Sequence, residues 1–251
     1  MTVKFQLHGV AHLSILGATL LLPVVLTLIQ RNLSSSTRFL RRVLAAILLL
    51  DTICWDAYLV RQGQLSFPAH LPIQLCDFTT YLTIVALLTL SPLIFDAAYY
   101  FALAGSSMAL ITPDLWEQFP SPATAQFFVA HGLVVVAILF LVWSRQLRPR
   151  TGSVARAMVA ANLLALCDGV FDWTYKTNYM YLRARPGNAS LLDLFGPWPW
   201  YIVATEGVAL VLFLLLYLPW WGPRAFRQTA LSEPAPRKNA SLMFPPRSQR
   251  P

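Results

Sequence analysis

Charge is scarce in this sequence. Only 12% of its 251 residues are charged, about half the share of an ordinary soluble domain. Because 57% of residues are hydrophobic, that shortfall excludes a free-standing soluble fold. Cysteine is scarce too: Cys54, Cys76 and Cys167 are the only three. All lie inside apolar runs, which excludes the disulfide framework of a small secreted domain. A G-x-S-x-G turn is missing, and with it the serine elbow of hydrolases. No helix carries metal-ligand spacing, and no internal repeat of the kind that builds duplicated-half transporters is visible.

What the chain has is apolar length. Crossing the roughly 30 Å hydrocarbon layer takes about 20 residues of helix, and windows near 11–29, 43–60, 71–91, 93–112, 124–144, 154–176 and 199–219 meet that need. The fold class read from them is all-α, a polytopic membrane helix bundle with seven predicted transmembrane helices over residues 1–221. The first window is longer than a signal-peptide core and lacks a nearby small-residue cleavage site, so it is expected to be retained. Residues 222–251 hold Pro223, Pro234, Pro236, Pro245, Pro246 and Pro251 among charges and small side chains; such a composition predicts a disordered cytosolic tail.

A net charge of +8 in so apolar a chain speaks for the positive-inside rule rather than for nucleic acid. With the N-terminus outside, the inner side holds Arg31, Arg38, Arg41, Arg42, Arg145, Arg148, Arg150, Arg156 and six tail residues, against Lys4, Arg61, Lys176, Arg183 and Arg185 outside. Fourteen against five, all 19 basic residues, predicts an N-out, C-in protein, and a bacterial cytoplasmic membrane is the expected location.

Seven of the eleven acids, Asp51, Asp56, Asp77, Asp96, Asp168, Asp172 and Glu206, fall in or at the ends of spans. An ionised carboxylate at the bilayer centre costs at least about 2.5–3.5 kcal/mol, so these groups must face the bundle interior. At ~1.5 Å of rise per residue, the windows place Cys76 roughly 7 Å and His131 roughly 10 Å below the outer face. Asp172, Asp168 and Glu206 follow at about 6, 12 and 10 Å, with His12 in the same half of the bilayer. A thiol attacks as thiolate and needs a base; His131 supplies one, and Asp172 or Glu206 completes the nucleophile, base and orienting-acid set. Thr80, one turn from Cys76, makes the thiol-bearing face polar. Asp77 points about 100° away. Asp114 after Pro113 caps or lines the mouth, and Trp198 and Trp200 form an aromatic belt or floor a lipid entrance. Simpler readings stay open for each: acids as interhelical hydrogen-bonding glue, and the tryptophans as interface anchors.

The blocks LPIQLCD at 71–77, ITPD at 111–114, HG at 131–132, NYMYL at 178–182 and LLDLFGPWPWY at 191–201 closely resemble the YwaF-like integral membrane protein family, which includes the animal transmembrane protein 164. The resemblance runs from about Leu71 to Glu206. Animal members look like acyltransferases that remodel phospholipids through a catalytic cysteine; the resemblance sets that cysteine on Cys76 and the matching histidine on His131. Asn178, Asp77, Thr80, Asp114, Asp168, Trp198 and Trp200 are the candidate substrate contacts. Membrane phospholipids are the expected partners, no cofactor or metal is expected, and the oligomeric state is open. A transporter or sensor using the buried acids is the alternative.

Overall fold

A computed structural model describes residues 7–32, 37–113, 115, 120–187 and 191–221. Asp114 and the tail from residue 222 lie outside the described residues. Seven helices carry the fold: α1 (Val10–Asn32), α2 (Thr37–Arg61), α3 (Leu75–Thr89), α4 (Pro92–Ile111), α5 (Pro122–Trp143), α6 (Ser153–Tyr175) and α7 (Trp200–Tyr217). No strand occurs among the described residues.

Local chemistry sets the helix ends. Pro92 and Pro122 occupy first-turn positions of α4 and α5, where their missing N–H costs nothing, and the Ser121 hydroxyl accepts the Thr124 amide at 3.2 Å. Leu90 closes α3 in a left-handed conformation, φ 54°, with its N–H on Ala86 O. Gly152 opens α6 at φ 76°, a left-handed backbone that favours glycine.

Six of the helices are long and apolar enough to cross a membrane, and α3, at 15 residues, is shorter. The expected span over residues 71–91 therefore begins late. Pro72 disfavours helical geometry at Leu71, and Gln74 is the N-cap, its N–H held by Asp77 Oδ2 at 3.0 Å. Helices α4 and α5 are the interior: 61% and 56% of their apolar windows are buried, against 11% for α6 and α7. The surrounding helices turn leucines and valines outward, as lipid contact demands. Because hydrocarbon tails are as apolar as leucine, close packing rather than water exclusion holds such helices together. A Cβ on Gly132 of α5 would lie 3.3 Å from Thr19 Oγ1 of α1, which measures how closely those two approach. The middle of α4, Phe101–Ser106, is wound as a π-helix.

One end of the bundle, called here the arginine end, is locked by ions. Asp96 of α4 is fully buried and receives Arg150 Nη2 and Arg156 Nε, each at 2.8 Å, and the Arg150 backbone N–H at 3.2 Å. Beside it the Tyr100 and Ser153 hydroxyls are 2.7 Å apart. Sequence reading used these arginines only to orient the chain and missed their joint partner, because 54 and 60 residues of sequence separate them from it.

Candidate functional site

At the opposite, thiol end, three of the sequence blocks meet. The buried Tyr179 of the NYMYL block accepts the Leu71 N–H at 2.8 Å and donates its hydroxyl to Pro68 O at 2.9 Å. Met180 N donates to Gln74 Oε1 at 3.0 Å. Tyr201 OH donates to Tyr181 O at 2.5 Å, and Trp198 Nε1 to Leu182 O at 3.0 Å. The loop after α6 thus clasps the entry to α3 on one side and the entry to α7 on the other. Its path includes Lys176, Met180 and Tyr181 at φ 62°, 50° and 56°, a left-handed backbone that non-glycine residues adopt only where neighbouring contacts hold it. Sequence reading singled out these blocks without seeing that they touch, and it missed Gln74, Tyr179 and Tyr201 as the residues that join them.

Beneath the clasp lie the polar groups. Cys76 is exposed in the first turn of α3, and Asp77 lies within electrostatic range of it, of Asp56 on α2 and of Asp168 on α6. Asp168 and Asp172 are buried one turn apart on α6. Asp172 Oδ1 accepts the Thr177 hydroxyl at 2.6 Å and the Tyr179 N–H at 2.9 Å. The Oδ2 atoms of both aspartates are buried without a partner among the described residues. The acids do not form a metal-binding group of three or more ligands among the described residues.

Other candidates have structural duties. Thr80 Oγ1 donates to Cys76 O at 3.0 Å, back along its own helix. The Asn178 amide shapes its loop, accepting Arg183 N and Ala184 N and donating to Ala184 O. Trp198 and Trp200 are both exposed, as a belt requires. Glu206 accepts a short hydrogen bond from Asn162 of α6 on an exposed contact. His12 donates from Nε2 to Leu110 O at 2.7 Å and accepts His8 N at Nδ1, 3.1 Å away, so it fastens α1 to α4.

No hydrogen bond or electrostatic contact joins His131 to Cys76 among the described residues. Gln126 of α5 donates to Asp51 of α2 at 3.4 Å, while Arg41 of α2 donates to Leu87 O of α3 at 2.7 Å, which sets the three helices in register. His131 Nδ1 donates to Phe127 O at 2.8 Å, which leaves Nε2 as an acceptor, and the ring lies on the side of α5 whose Phe128 and Val135 pack against Leu110.

The sequence model of the TMEM164 family matches residues 7–217. No curated protein and no solved structure matches the chain.

Proposed function

Because the chain belongs to the TMEM164 family, we propose that it is a membrane-embedded acyltransferase that moves an acyl chain between phospholipids through a thioester on Cys76. The observation that carries this reading is the placement of Cys76: an exposed thiol on the first turn of a helix, below a clasped loop and an aromatic rim, beside carboxylates. A lipid arriving sideways presents its ester carbonyl at that depth while its tail stays in hydrocarbon.

Sulfur attacks the carbonyl, the glycerol oxygen leaves and takes up the thiol proton, and a thioester remains. The hydroxyl of a lysolipid then attacks the thioester and its proton returns to sulfur. Two groups are candidates to carry the proton: Asp77, the carboxylate next to the thiol, and His131, whose Nε2 is left as an acceptor. The reading places the thiol end in the outer leaflet of a bacterial cytoplasmic membrane, in keeping with the count of fourteen basic residues against five. A second reading, proton or small-cation passage, draws on the unpaired oxygens of Asp168 and Asp172.

The test is acyl exchange in vesicles containing labelled phospholipid and lysolipid, with mass spectrometry of Cys76. Wild type is expected to exchange and to carry the acyl mass on Cys76, and Cys76→Ala to do neither. Full exchange by Cys76→Ala removes the covalent mechanism. Absence of exchange by wild type, together with proton flux that Asp168→Asn abolishes, transfers the assignment to transport. Loss of the acyl mass in Asp77→Asn but not in His131→Ala identifies the carboxylate as the proton carrier.

A further inference from the structure

The arginine end contains a cavity of about 950 Å³ between the ends of α1 and α5, the start of α4, the α5–α6 connection and the last turn of α7. Arg31, Arg145, Arg148 and Arg150 line it, and no acid does among the described residues. The nearest buried carboxylate, Asp96, is taken up by Arg150 and Arg156 behind the wall. Five guanidinium groups thus face one carboxylate, so the cavity is strongly positive. Arg31 and Arg145 make no side-chain hydrogen bond or ion pair among the described residues. The positive-inside rule requires basic residues on this face but not around a hollow, and it leaves unexplained the apolar side of the same hollow, which Trp143 and Trp220 provide.

Guanidinium forks match phosphate oxygens in pairs, and basic pockets between transmembrane helices on the cytosolic side suit anionic lipid head groups. We infer that this cavity binds the phosphate of an anionic phospholipid, with the arginines on the head group and the tryptophan side on its glycerol and upper acyl chain. A soluble phosphate shares the charge but not the apolar part, and would leave the tryptophans bare. The site lies at the other end of the bundle from Cys76 and does not depend on the acyl-transfer reading.

The test uses the full chain in detergent micelles, following thermal unfolding and lipid retention by native mass spectrometry on titration with phosphatidylglycerol, phosphatidylcholine or inorganic phosphate. Phosphatidylglycerol is expected to raise the unfolding temperature and to be retained, and the other two to do neither. Combining Arg31→Gln with Arg145→Gln should weaken phosphatidylglycerol binding roughly thirtyfold, about fivefold for each charge removed. Arg42→Gln, on the same face outside the cavity, should leave it unchanged, and the double lysine variant should keep most of it. Equal responses to phosphatidylcholine, equal responses to inorganic phosphate, or an undiminished response in the glutamine double variant would each overturn the inference. If the glutamine variant does not fold, a lysine variant that binds no more tightly than Arg31→Gln alone does the same.

Discussion

The two ends of the bundle handle buried carboxylates in opposite ways. Asp96 at the arginine end has both oxygens occupied, by two guanidiniums and a backbone amide. Asp168 and Asp172 at the thiol end each keep one oxygen buried and unpaired. A satisfied buried ion group fixes helices in place, whereas an unsatisfied one costs stability and is retained where the chemistry needs it. The difference teaches where to look: acids inside a membrane protein separate into scaffold and site by their partners, not by their depth.

That contrast can be attacked directly. Replacing both partners of Asp96, Arg150→Gln with Arg156→Gln, strands a fully buried carboxylate and should cost about 3–5 kcal/mol, seen as a large fall in thermal unfolding temperature in detergent; a small fall would mean that Asp96 is not scaffold. Tyr179→Phe removes both hydroxyl bonds that clasp the α3 entry and should cost about 1–3 kcal/mol, with faster proteolysis between residues 176 and 187 as the local readout. Asp168→Asn should change stability by less than about 1 kcal/mol, or raise it, since no partner is lost, while lipid acyl exchange falls; strong destabilisation would place Asp168 with Asp96. Smallest of all, Glu206→Gln should cost under about 0.6 kcal/mol and leave exchange untouched, because its partner Asn162 lies on an exposed helix contact.

How much of this was legible in advance depended on the range of the signal. Apolar length is local, so six of the seven helices lie where their windows predict. The α3 start was hidden because Leu71 and Ile73 read as membrane residues, while the bonds that hold them out of the helix come from Tyr179 and Asp77. The contacts that set α2 against α5 and α3, Gln126 on Asp51 and Arg41 on Leu87, join residues 75 and 46 apart in sequence, beyond the reach of any local pattern. The blocks around 71–77, 178–182 and 196–201 stood out as motifs, yet their residue types did not say that they bind one another. Asp96 was counted among the costly acids and Arg150 and Arg156 among the orienting charges, and no pattern within either segment couples them.

The shortness of α3 has a consequence for the surrounding lipid. Fifteen residues make a rod of about 22 Å, some 8 Å less than the hydrocarbon of an average bilayer. A bilayer meets a short apolar rod by thinning or by snorkelling of its flanking residues, at a fraction of a kcal/mol for each ångström of mismatch. On the acyl-transfer reading proposed above, short-chain lipids relieve that strain and long ones aggravate it, so the chain-length composition of the host membrane becomes a setting on how readily a lipid's ester reaches the thiol. In vesicles of graded acyl length, turnover at Cys76 is expected to fall as the bilayer thickens, with no change in any residue of the protein.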